Sequence, residues 1–290
     1  MNVQQAANEC PGTPLGGRRT DVRRLYSAVV FLPLFYVIIR YLPPVVFFGL
    51  VLTTAMIALL EYYSLHFKKE DLFPDAWLGS IVTAALLASV QWPGLVSLPA
   101  ILLAALLACL VIRMLSARGL DGTVPDTAIL LFGMVYVGLT LGYFLLTRAR
   151  PAGEWLIFFV VLVTWAGDTG AYYAGIRLGR RPLTPVISPK KTVEGLLGGL
   201  MASMLAALVA RNWFLPQFGV VESLLMGLAL GAIGALGDLA ESALKRSAGV
   251  KDSGSVIPAH GGMLDRIDSL LFTGPVFYYY LVFFKGDLAP

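Results

Sequence analysis

Charge is scarce in this sequence. Only 14% of its 290 residues are charged, against about 25% in a soluble domain, while 57% are hydrophobic. No polar stretch is long enough to build a soluble domain, so a single membrane domain is expected rather than two globular ones. Cysteine is nearly absent as well. Cys10 and Cys109 are far apart, one of them in an apolar run, which excludes a disulfide framework and a cysteine metal site. The first 24 residues contain no apolar h-region, so no cleavable signal peptide is expected. Internal repeats are absent too. The formal charge of +4 is of the kind that basic cytoplasmic loops and anionic lipid headgroups account for, and no nucleic-acid partner is expected.

What the sequence does have is long apolar runs. A helix needs about 20 apolar residues to cross the hydrocarbon. Runs near 25–41, 43–61, 76–92, 95–115, 126–147, 155–176, 192–210, 219–240 and 268–285 predict an all-α, polytopic membrane protein with about nine transmembrane helices. Pro43 and Pro44 force the turn between the first two. With the N terminus in the cytoplasm, seventeen of the 22 basic residues fall on that side and five on the other, as the positive-inside rule asks. The expected organisation is a disordered basic tail over 1–24, N-terminal membrane helices over 25–150, and a C-terminal catalytic part over 151–290. The two richest polar loops, 177–191 and 241–267, then lie side by side on the cytoplasmic face.

These loops carry the chemistry. Asp238, Glu241, Ser242 and Lys245 recur at i, i+3, i+4 and i+7, so a helix puts them on one face. An unpaired carboxylate at the membrane edge is costly, and Asp238 therefore calls for a cation, either Lys245 or a metal. Asp265 and Asp268 share a face at the start of the last span, where capping and the helix dipole would also favour them. Convergence of Asp238, Asp265 and Asp268 would make a hard-oxygen site suited to Mg²⁺, with room for a second cation. Lys245, Arg246, Lys251 and Arg266 are natural partners of phosphate oxygens, and His260-Gly261-Gly262 supplies backbone N–H groups to an anion. In the other loop, Ser188 reads as an N-cap with Pro189 at the first helical position, so Lys190 and Lys191 would sit at a helix N terminus that binds anions. Asp168 and Tyr172, i and i+4, face the same region. Asp168 is equally a structural hydrogen-bonding residue or an aid to metal binding.

The run from Ser242 through Leu244-Lys245-Arg246, Lys251-Asp252, Gly254, Ile257-Pro258 and His260-Gly261-Gly262-Met263 to Asp265-Arg266-Ile267-Asp268 resembles the signature of the phosphatidate cytidylyltransferases, without a departure. The preceding GDLAES (237–242), WAGDTGAYYAG (165–175) and ISPKKTVEGLLGG (187–199) are similar to segments of that family. The resemblance implies a metal-dependent integral membrane enzyme that converts CTP and phosphatidate into CDP-diacylglycerol and pyrophosphate. It places metal-binding aspartates at Asp238, Asp265 and Asp268, a basic group beside them at Lys245 and a polar one at Ser242. A homodimer in a bacterial-type inner membrane fits it. A CTP-dependent lipid kinase of polyprenol type, and an ion-coupled transporter using Asp168 and Asp238, remain as alternatives at this point.

Overall fold

The computed structural model describes residues 33–67, 69–115, 122–250 and 262–286, with the backbone alone over 69–75. The expected tail over 1–24 lies outside the described residues. After a helical stretch at 33–41 (α1), the chain forms α2 (Pro44–His66), α3 (Lys69–Gln91), α4 (Leu98–Leu115), α5 (Thr123–Arg148), α6 (Gly153–Leu178), α7 (Val193–Trp213), α8 (Val220–Ser247) and α9 (Leu264–Lys285). Seven of these are long and apolar enough to cross a membrane, and Ala76–Gln91 within α3 is a shorter apolar helix. The protein is an all-α polytopic membrane protein.

Local chemistry explains the helix limits. Pro44 is the first helical residue of α2, where its missing N–H costs nothing and its fixed φ suits the helix. Thr192 caps α7, its hydroxyl accepting from the Gly195 N–H at 3.1 Å. At the start of α8 the Glu222 carboxylate accepts from the Gly219 N–H and is held by Lys285 and Tyr280 of α9. This polar cluster joins the first turn of α8 to the last turn of α9.

Between α6 and α7 lies the one departure from the helical expectation among the described residues. Pro182–Thr184 (β1) and Ser188–Thr192 (β2) pair antiparallel, with Pro182 opposite Thr192 and Thr184 opposite Ser188. Ser188 is therefore not an N-cap, and Pro189 does not open a helix. A residue before proline is pushed toward extended backbone, and the helix waits for Thr192. The Glu194 carboxylate secures this corner by accepting from the Arg180 and Arg181 N–H groups.

α6 packs most closely on α7, α7 on α8, and α8 on α9. Small residues permit this, as is usual where no water drives helices together. A Cβ on Gly198 of α7 would lie 2.2 Å from Ala174 Cβ of α6. Where α8 crosses α9, a Cβ on Gly237 would meet the Asp268 carbonyl oxygen at 2.6 Å. Only glycine lets these two backbones touch, and the contact falls beside Asp238. The interior is aromatic and aliphatic: Phe159 lies 5.4 Å from both Phe218 and Phe277, ring centre to ring centre. The large apolar side chains left exposed, such as Trp213, Met201 and Phe284, face outward as lipid-exposed residues do.

Candidate active site

Three elements converge at one end of the bundle: the β-hairpin, the C-terminal half of α8 and the first turns of α9. The face of α8 expected from the i, i+3, i+4, i+7 spacing is real. Asp238, Glu241 and Asp268 each offer a carboxylate oxygen, and the three oxygens lie within 4.8 Å of one another. Asp268 and Glu241 are buried, Glu241 to 1% exposure. The close approach at Gly237 brings Asp268 to the α8 carboxylates.

Asp265 goes elsewhere. Lys245 Nζ sits 2.6 Å from Asp265 Oδ1 and 2.7 Å from Glu241 Oε2, while Asp265 Oδ2 accepts from the Gly262 N–H at 3.3 Å. A nearly buried ammonium loses its water and takes two carboxylates in exchange. Asp265 is thus paired with Lys245, and the carboxylate that meets Asp238 and Asp268 is Glu241. Nor does Asp238 pair with Lys245. Its partner is Lys191 of β2, at 2.7 Å, so the hairpin is tied to the membrane helix. Asp168 lies on α6 beside this group, its Oδ1 accepting from Ser269 Oγ at 3.3 Å.

The remaining expected residues are scattered around this centre. Ser242 is half-buried on α8. Arg246, exposed, directs Nε to the Ile187 carbonyl at 3.3 Å and Nη1 to the Val250 carbonyl at 3.0 Å, pinning the hairpin tip to the end of α8. Arg266 is exposed on the first turn of α9, and Lys190 is exposed on β2. Ser188 is a strand residue, and Gly262 gives its N–H to Asp265. Lys251, His260 and Gly261 lie outside the described residues.

The donor set suits a divalent cation. Asp168, Asp238, Glu241, Asp265 and Asp268 are in direct contact with two lysines among the pairs above, which leaves negative charge in excess around the buried Glu241 and Asp268. Glu241 Oε1 is buried and has no hydrogen-bond partner among the described residues. Closely spaced carboxylate oxygens with a free lone pair are what a hard cation takes.

One further acidic residue reaches this end from the N-terminal half. The buried Glu61 of α2 accepts from the Leu264 N–H at 2.8 Å, at the first residue of α9. The signal for it was there to be read: a carboxylate within an apolar helix needs a partner.

Several curated proteins are similar to this chain in sequence. A phosphatidate cytidylyltransferase of Staphylococcus epidermidis is 44% identical over 151 residues, which is 52% of this chain and 57% of that protein. One of Bacillus subtilis is 41% identical over 164 residues, 56% of this chain and 61% of that protein. The uncharacterised Escherichia coli protein YnbB is 46% identical over 135 residues, 47% of this chain and 45% of that protein. The chain thus spans about half the length of the curated relatives it matches. The model of the cytidylyltransferase family matches far more of it, from residue 22 to residue 284, and the chain belongs to the cytidylyltransferase family.

Proposed function

We propose that this chain transfers CMP from CTP to phosphatidate, giving CDP-diacylglycerol and pyrophosphate, at the cytoplasmic face of a bacterial-type inner membrane. The observation that carries the reading is the meeting of Asp238, Glu241 and Asp268 with Lys191 and Lys245 at one end of the bundle. The family and the names of its relatives support it. The expected nine spans and cytoplasmic N terminus belong to the same reading.

An oxygen of the lipid phosphate monoester attacks the α-phosphorus of CTP. The bond from that phosphorus to the bridging oxygen breaks, and pyrophosphate leaves. The nucleophile is already anionic near neutral pH, so no side chain is assigned as its base. Repulsion between two polyanions is the barrier, and positioning with electrostatic stabilisation is the remedy. Lys245, clamped by Glu241 and Asp265, and Lys191, held by Asp238, present ammoniums to phosphate oxygens without having to be ordered first. Arg246 and Arg266 stand exposed at the same end for the outer phosphates, with Lys190 and Ser188 on the hairpin and Ser242 on α8. Asp238, Glu241 and Asp268 would hold Mg²⁺, and Asp168 stands beside them for a second cation. When bound, the ion offsets phosphate charge.

The test is radiolabelled CTP with phosphatidate in mixed micelles, with and without Mg²⁺, and identification of both products. Labelled CDP-diacylglycerol with pyrophosphate is expected. CDP as the product would instead identify a CTP-dependent lipid kinase, and no lipid product would end the reading.

A further inference from the structure

The acidic site has a wall that no residue discussed so far supplies. Tyr136 of α5 is more than nine-tenths buried, and its hydroxyl has no hydrogen-bond partner among the described residues. Its ring lies 6.5 Å from that of Phe272, one helical turn beyond Asp268 on the same face of α9. The hydroxyl is within electrostatic reach of the Asp268 and Glu241 carboxylates. A second buried oxygen without a partner among the described residues is Glu241 Oε1.

The backbone around Tyr136 is unusual as well. Met134–Leu139 is a π-helical turn inside α5, a feature that occurs mostly as a single bulge and often at functional sites. Thr140 Oγ1 donates to the Tyr136 carbonyl at 2.5 Å, which steadies the widened turn. Phenylalanine would fill the same volume without burying an unpaired hydroxyl, whose lost hydration nothing among the described residues offsets. A Tyr O–H that is buried usually has a partner, and the Tyr136 ring packs against Phe272, one turn beyond Asp268.

We propose that the Tyr136 hydroxyl donates a hydrogen bond to a phosphate oxygen of a substrate bound at the acidic site. The inference rests on the proposed function, in which a cation on the carboxylates brings phosphate there. The phosphate belongs either to the lipid monoester or to the nucleotide, and the two arms of the test separate them.

The experiment uses Tyr136→Phe in the full chain, purified in detergent, beside the parent. Thermal unfolding comes first. The variant is expected to melt at the parent's midpoint or above it, because an unpaired buried hydroxyl has been removed. A midpoint several degrees lower would overturn the inference by showing that the hydroxyl is bonded within the fold. The rise in midpoint caused by phosphatidate micelles, and separately by CTP, is then measured with Mg²⁺ present. The variant should lose most of the rise caused by one of the two, and that one identifies the phosphate. Its kcat/KM for the same substrate should fall roughly ten- to a hundredfold, the range expected of a hydrogen bond to a charged group. Equal rises in parent and variant for both ligands overturn the inference, as does a parent that neither ligand stabilises. A parent stabilised by a ligand but forming no CDP-diacylglycerol defeats the proposed reaction alone, and the shifts still decide the role of Tyr136.

Discussion

Glu61 and Leu264 lie 203 residues apart in sequence and are joined by a 2.8 Å hydrogen bond, the Glu61 carboxylate accepting from the backbone N–H that opens α9. Both residues are buried. A helix from the N-terminal half thus fixes the start of the helix that carries Asp265 and Asp268. Glu61→Ala leaves that N–H without its acceptor and should cost about 1–3 kcal/mol of stability. It should also lower turnover, because Asp268 lies one turn further along. Glu61→Gln keeps an acceptor oxygen and should retain most of both. Thermal unfolding and CTP turnover, measured on the two variants side by side, check this.

Asp265 and Asp268 should differ in kind. Asp268 sits among the carboxylates that would hold the cation, so Asp268→Asn should raise the Mg²⁺ concentration needed for half-maximal activity as well as reduce turnover. Asp265 holds Lys245, so Asp265→Asn should reduce turnover while leaving that concentration unchanged. Mg²⁺ titrations of the two variants distinguish the roles. A shifted titration for Asp265→Asn would return that residue to the metal site.

Gly237→Ala tests the contact that brings the carboxylates together. Its Cβ would stand 2.6 Å from the Asp268 carbonyl oxygen, which is backbone and cannot swing aside. The two helices must part, at about 1–3 kcal/mol for an overpacked site. Activity should fall with stability, since Asp238 and Asp268 move apart. Gly49→Ala, where a Cβ has nothing within 4 Å, is the matched control and should be silent in the same melting and turnover assays.

Arg40 pairs with Glu154 at 3.2 Å and is 41% exposed. Exposed ion pairs contribute about 0–1 kcal/mol. Arg40→Ala should therefore leave CTP turnover within about twofold of the parent, a change of well under 1 kcal/mol, with a small loss of melting temperature at most.

The fold class and the neighbourhood of the site were legible in the sequence because they rest on local rules. Apolar runs of membrane length, Pro43-Pro44 between two of them, and the helical spacing of Asp238, Glu241 and Lys245 each express the geometry of a single element. The start of α7 was misread because the helix signal in Ser188-Pro189 competes with the extended bias that proline imposes on the residue before it. Thr192, a capping residue just as good, lay four positions on.

Which carboxylate meets which cation was not legible, and the reason is physical. Asp265 and Asp268 share a helical face, and spacing alone treats them alike. Only the crossing of α8 over α9 at Gly237, with Lys245 rising one turn past Glu241, turns one toward an ammonium and the other toward Asp238 and Glu241. Glu61 and Tyr136 come from helices distant in sequence, and no periodicity within α2 or α5 names their partners in α8 and α9. The sequence by itself determined that a greasy bundle would gather charge at one end. The packing of backbone against backbone decided which charges face each other, because a buried charge takes its partner from whatever the fold sets within a few ångströms.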